Sequence, residues 1–355
     1  MTKQSFNFKE KSDKRNKRTK RKNNRKSKKL TSKTQNIDIT KKFQNFSNNK
    51  NETIYNIELI SKNLIFYSEK LTDNHFEIYY NDILTELLLK ETIENKKIIN
   101  ENILNKYNLT KEHRKNAFKY LYNFIKFHKF NIKCYFSTVS TFDLFLINFS
   151  EDESNTDKCK IFFNSKKTNE ISLTKLILFE LCCFYLTSKY YNIKLICLED
   201  LLLLEDAKDE VNYDDLINLV DDIMIYTDSD ICNKNIDSYI EIFMFGILKS
   251  LKNMTKNEKF LHHFENYVIF FSCRFVQEIH EFNILESIQV LGIIIFSFEF
   301  SKFSYKENNE ILDNYLIQWK DNLKDMIKEY DANKLEYIIN WLNSYVSYKY
   351  INRKY

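Results

Sequence analysis

Glycine and proline are almost absent from this chain, which narrows the possible folds before any motif is read. Its 355 residues include two glycines, Gly246 and Gly292, and no proline. Phosphate-cradling loops and dinucleotide fingerprints need several glycines close together, so neither can exist here. Tight hairpin turns favour positive φ, where glycine is the preferred residue, and this argues against an all-β design. Asparagine is left to do much of the turn and capping work. Without proline there is no Ser-Pro or Thr-Pro pair, so proline-directed kinases have no standard acceptor site.

Hydrophobic periodicity then points to helices throughout. Over 75–90, Ile78, Tyr79, Ile83, Leu87 and Leu88 recur at the spacing of one helix face. A polar Asn- and Lys-bearing segment follows to about residue 111. Further helices are expected at 112–130, where Ala117, Phe118, Leu121, Phe124 and Ile125 face inward, and at 132–149, 171–190, 196–205 and 213–226. An acidic, serine-bearing loop is expected at 150–158. A second set follows at 235–252, 258–280, 284–303, 308–330 and 332–350. No strand alternation of convincing length appears, so the chain is predicted to be all-α. The length suits roughly two domains. The two sets echo each other weakly: FELCCFYLTSKY at 179–190 and GIIIFSFEFSKF at 292–303 both end Ser-Lys-aromatic.

The charge is unevenly placed. Residues 1–35 carry 15 Lys/Arg against 2 Asp/Glu, a local +13, whereas the whole chain is +5. The remainder is therefore −8, a mildly acidic body behind a basic tail. The densest part, KRNKRTKRKNNRKSKK at 14–29, cannot collapse and is expected to be disordered. It suits a nuclear import receptor, a nucleic-acid-binding arm or a solubilising tail. No aromatic residue interleaves it, so base stacking is not supported and nucleic acid is not an expected partner.

Seven cysteines occur with no C-x-x-C spacing, and Cys182 and Cys183 lie inside an apolar run. An odd count without a framework suggests a reducing compartment. The six histidines form no metal-ligand spacing, and no metal site is expected. The N-terminus does not read as a secretory signal. The longest apolar runs are broken by Arg274, Glu286 and Glu299, short of the roughly 20 residues a membrane span needs. No membrane association is expected.

Four motifs in fixed order carry a family resemblance. YYNDILTEL at 79–87 is similar to Tyr-x-x-Asp-Ile-x-x-Tyr-Leu, with Glu86 departing. HRKNAFKYL at 113–121 stands where Met-Arg-Ala-Ile-Leu-Val-x-Trp-Leu is expected, and TFDLFL at 141–146 stands for Tyr-(Leu/Ile)-Asp-Arg-Phe-Leu. YLTSKYYNIKLICLEDLLLLED at 185–206 resembles the Leu-Ala-Ser-Lys-Tyr-Glu-Glu-Ile block running into its next helix. Together they resemble the cyclins, most of all the mitotic A/B type, over about residues 75–350.

The resemblance implies two tandem five-helix cyclin folds behind an N-terminal helix and the disordered basic tail. The expected divisions are 1–50 for the tail, 51–111 for the N-terminal helical segment, 112–232 for the first box and 233–355 for the second. It implies a regulatory, non-catalytic subunit without cofactor, forming a heterodimer with a cyclin-dependent kinase in cell-cycle control, in nucleus and cytoplasm. Arg114 and Asp143 are expected to pair as a structural clamp, because an arginine buried between helices needs a carboxylate. Lys189 is implied to face the kinase, with Tyr190 beside it and Asp221, or Asp222 one register away, as the acidic partner on the fifth helix. On its own Lys189 would read as a helix-terminal cation suiting the macrodipole. His113, Ala117 and Tyr120 occupy the family's substrate-docking positions in degenerate form, smaller and more polar. Tyr191 and Asn192 replace two glutamates of the family pattern. A Lys-Glu-Asn tripeptide at Lys306–Asn308 resembles a degradation signal, and chance suffices to explain it in so Lys- and Asn-rich a chain. Two other readings are carried forward, a transcription-type cyclin and a cyclin-fold adaptor or scaffold.

Overall fold

Helices form where the periodicity places them. The computed structural model describes residues 74–93, 98–191, 197–204, 206–228, 236–255, 257–280, 283–305 and 310–351. The basic block, Cys232, Asn192 and the Lys306–Asn308 tripeptide lie outside those residues. Within them the first set of helices comprises α1 (Asn74–Ile93), α2 (Glu101–Lys106), α3 (Lys111–His128), α4 (Ile132–Glu151), α5 (Thr156–Phe162), α6 (Leu173–Tyr190), α7 (Leu198–Leu201), α8 (Ala207–Glu210) and α9 (Tyr213–Tyr226). The second set comprises α10 (Ile236–Met254), α11 (Glu258–Gln277), α12 (Glu286–Tyr305), α13 (Glu310–Met326) and α14 (Ala332–Ile351). Among the described residues there is no strand, only an isolated bridge between Asn164 and Ile171.

Three local expectations need correction. The polar stretch before residue 111 contains helix α2, which Asn100 caps by accepting from the Ile103 N–H and which Leu104 anchors in the core. The acidic loop at 150–158 is largely wound, as a 3₁₀ turn at Glu153–Asn155 leading into α5, whose Cys159 is buried. The helix expected at 196–205 shrinks to the single turn of α7, with α8 following.

Asparagine does the work left by missing glycine. Asn100, Asn131, Asn212 and Asn257 each cap a helix by accepting from a backbone N–H. Asn108 and Asn169 take positive φ, joined by Lys129, Asp206 and Asp228.

Two nearly all-apolar helices organise the packing, as helices apolar on every side must be buried. In the first set α6 lies against α3, α4, α7, α8 and α9; in the second α12 lies against α10, α11 and α14. Phe142, Phe145 and Phe163 surround Phe179 of α6 with ring centroids 4.9, 5.0 and 5.4 Å away. Each such side chain contributes roughly 1.5–3 kcal/mol on burial. Contacts of α3 with α11 and of α4 with α10 join the sets, and all described residues belong to one compact unit.

Both glycines sit inside helices where another element presses on the backbone. Gly246 of α10 abuts the hydroxyl of Tyr80 from α1. A Cβ at Gly292 of α12 would lie 2.9 Å from Ile338 and 3.3 Å from Leu335, both on α14. Close approach, rather than a turn, accounts for each.

Candidate functional site

The clamp forms as the residues require. Arg114, 2 % exposed, donates from Nε to Asp143 Oδ1 at 2.9 Å and from Nη2 to Oδ2 at 2.6 Å. This two-pronged geometry suits guanidinium and carboxylate. The guanidinium also lies 4.4 Å from the centre of the Phe118 ring. Sequence reasoning missed its remaining contacts. Nη1 donates to the carbonyls of Val276 and Gln277, both at 3.1 Å, and of Glu278 at 3.4 Å. These oxygens close α11, where a helix end favours a cation. Lys115 pairs with Glu278 at 2.7 Å, and the Gln277 amide donates to the Tyr135 hydroxyl at 3.0 Å. Arg114 therefore ties α3, α4 and the end of α11 together.

Lys189 closes α6. The helix is buried at Ser188, Thr187, Leu186 and Phe184, yet Lys189 and Tyr190 are exposed, Tyr190 at 64 %. The Lys189 ammonium lies 4.1 Å from the centre of the Tyr185 ring and meets no carboxylate among the described residues. Tyr191 turns back into the fold, sharing a 2.9 Å hydrogen bond with Ser137 of α4.

Helix α9 packs beside α6. Tyr226 at its end meets Phe145 and Phe149, while Tyr213 at its start bonds to Glu199. Asp221 is exposed and Asp222 half-buried. Burial raises the Asp222 carboxyl above its usual range, with Asp221 adding to the shift and Lys158 opposing it. Asp221 is thus the carboxylate turned to solvent. It lies eight residues past Tyr213, about 12 Å along the helix, and no ion pair joins it to Lys189. Both side chains are exposed, on helices that pack together, and they form no ion pair. The sequence reading also missed the residues that line this surface. Tyr213, Ile217, Met224 and Ile225 are 38, 37, 39 and 65 % exposed. Their spacing from Asp221 was visible, but only the packing of Leu216, Val220 and Ile223 inward shows which face is left outside.

The three positions of the expected degenerate docking patch each take part in the packing or capping of α3. His113 completes a capping box with Thr110, its Nδ1 accepting from the Thr110 N–H at 3.3 Å. Ala117 is wholly buried and offers no surface. Tyr120 is half-buried and stacked on Phe124. Burial, reinforced by nearby Glu180, pushes its hydroxyl pKa up. Glu180 itself is fully buried in α6, and neither carboxylate oxygen has a hydrogen-bond partner among the described residues. Burial drives its pKa well up, with Arg114 pulling the other way.

Among the described residues no group of three or more His, Cys, Asp or Glu side chains gathers to hold a metal, and no helix is long and apolar enough to cross a membrane. No family model, no curated protein and no solved structure matches this chain.

Proposed function

We propose that this chain is a divergent cyclin, a non-catalytic subunit that binds and activates a cyclin-dependent Ser/Thr kinase in G2/M control. In this reading residues 112–232 and 233–355 are two tandem cyclin folds. One observation carries it. Lys189, where the motif resemblance puts the kinase contact, is exposed at the end of α6 and meets no carboxylate among the described residues, and α9, which packs against α6, displays Asp221. The closed Arg114–Asp143 clamp supports the same frame.

The chemistry follows from the surface. Lys189 offers three N–H donors for backbone or side-chain acceptors of the kinase, Tyr190 an apolar contact, and Asp221 an acceptor on the neighbouring helix. A partner that binds only the productive arrangement of the kinase's regulatory helix shifts the kinase population toward it, and kinase activity depends on that helix being in place. The block at 14–29 would be read by an import receptor, giving a protein of nucleus and cytoplasm.

The test mixes the chain with a cyclin-dependent kinase from the same source and measures co-elution and histone phosphorylation. Lys189→Glu is expected to abolish both while leaving the thermal unfolding unchanged. A variant that activates normally removes Lys189 from the interface. Activation confined to a transcription-type kinase reassigns the target, and no complex with any such kinase leaves an adaptor or scaffold.

A further inference from the structure

Ser154 lies in the acidic turn between α4 and α5, with Glu151, Asp152 and Glu153 before it and Asp157 three residues after it, all exposed. The chain has no Ser-Pro or Thr-Pro pair. A hydroxyl in acidic sequence, with a carboxylate three residues on, suits instead a kinase whose substrate groove is basic, since kinases select substrates by charge pattern. Among the described residues the same Ser/Thr-x-x-Asp/Glu spacing occurs at Ser140, Ser150, Thr227, Ser238 and Thr255. Each of these lies in a helix or directly after one, and each is buried or half-buried. Ser154 alone among them is exposed, on the single 3₁₀ turn Glu153–Asn155, which has few helical bonds to give up on entering a groove.

The hydroxyl belongs to a network that reaches α9. Asp152 Oδ1 accepts from Ser154 Oγ at 2.7 Å and from the Ser154 N–H at 3.0 Å. Its Oδ2 accepts from Asn155 Nδ2 and from the Tyr226 hydroxyl, both at 3.2 Å. Asn155, buried, also donates to the Tyr226 hydroxyl at 2.8 Å. Tyr226 ends α9. We propose that Ser154 is a phosphoacceptor for an acid-directed Ser/Thr protein kinase, and that its phosphate unties this turn from the end of α9. In the transfer Ser154 Oγ bonds to the γ-phosphorus of ATP and the bond from that phosphorus to the β,γ-bridging oxygen breaks. ADP leaves, and the hydroxyl proton passes to a base of the kinase. The product has lost the donor that Asp152 accepts and carries about two negative charges beside it. Phosphate and carboxylate repel, so Asp152 turns away and Asn155 and Tyr226 lose their shared acceptor.

The test incubates the full chain with a purified acid-directed casein kinase and Mg-ATP and maps the phosphate by mass spectrometry. Phosphate is expected on Ser154, lost in Ser154→Ala and slowed roughly tenfold in Asp157→Lys, with the helix content of both variants checked by circular dichroism. Phosphate on Thr156 or Ser150 in place of Ser154, an unchanged rate in Asp157→Lys, or incorporation only after thermal unfolding overturns the acceptor site. The phosphorylated chain is expected to melt about 2–4 °C lower. The shift should be smaller in Tyr226→Phe, where the hydroxyl tie to α9 is already cut. An unchanged melting temperature, or an equal shift in both backgrounds, overturns the untying.

Discussion

Helices α6 and α12 are the apolar centres of their respective sets, and both close on Ser-Lys-aromatic. Ser188 and Ser301 are each buried and each donate back to a carbonyl of their own helix, to Tyr185 and Ser297. The aromatic residues, Tyr190 and Phe303, are both exposed. The lysines differ. Lys302 is 13 % exposed at its side chain, is paired with Asp313 of α13 and lies 3.7 Å from Glu299. Among the described residues Lys189 has a tyrosine ring beneath it and no carboxylate. The same terminal triplet is closed within the fold in one place and left open in the other. That contrast leaves a terminal cation open on the first set of helices and answered on the second, among the described residues.

The largest effects should separate the two lysines. Lys189→Glu is expected to cost kinase capture entirely and stability not at all. Lys302→Glu would set a carboxylate against Asp313 and Glu299; it should cost roughly 1–3 kcal/mol, discounted for the exposure of its partners, and leave capture intact. Urea unfolding and co-elution on both variants read the two outcomes. Loss of capture in the Lys302 variant would break the comparison.

The next effect concerns the middle of each helix. Aligning the triplets sets Glu180 of α6 opposite Ile293 of α12, which is fully buried. A carboxyl whose pKa rises on folding stabilises fully below its unfolded value and loses that stability as pH rises through the folded one. The Glu180 contribution therefore declines as pH climbs above the ordinary glutamate range. Glu180→Ile should raise stability by roughly 1–3 kcal/mol at pH 7 and remove that slope, measured by unfolding across pH.

His280, near the end of α11, acts in the opposite sense. It stacks on Phe275 at 3.7 Å, donates from Nε2 to the Phe275 carbonyl, and has Arg114, Lys111 and Glu278 for charged neighbours. Burial foremost pulls its pKa down to about 4. Its contribution is complete above the unfolded value of 6.5 and is lost as pH falls toward 4. His280→Phe should flatten the acid limb by about 3 kcal/mol and leave the alkaline side to Glu180. An unchanged acid limb would remove His280 from the account. The smallest change is Gly292→Ala, whose new methyl meets Ile338. A helix-propensity gain of about 1 kcal/mol opposes overpacking of roughly 1–3, so thermal unfolding should show a net loss of about 1 kcal/mol. Stabilisation would mean that α14 yields.

Much of this was written locally. Most longer helices begin and end within a few residues of the expected limits, because apolar spacing and asparagine caps are local signals. Arg114 and Asp143 could be paired because the motif resemblance sets them on successive helices and a buried guanidinium needs a carboxylate. The short helices α2 and α5 were missed because six or seven residues carry too little periodicity. They persist because Leu104 and Cys159 are buried by distant elements.

What the sequence determined by itself was the all-α class, the helical succession and the clamp, since each depends on backbone preference or on the cost of an unpaired charge. Tertiary structure alone decided the rest. It sent the third set of Arg114 donors to the end of α11, buried Ala117, left Glu180 without a hydrogen-bond partner among the described residues and turned Asp221 outward. It also answered Lys302 and, among the described residues, left Lys189 without a carboxylate. The two lysines end in nearly the same local sequence. Their difference arises from which helix packs alongside, and charge pairing across helices is set by that packing.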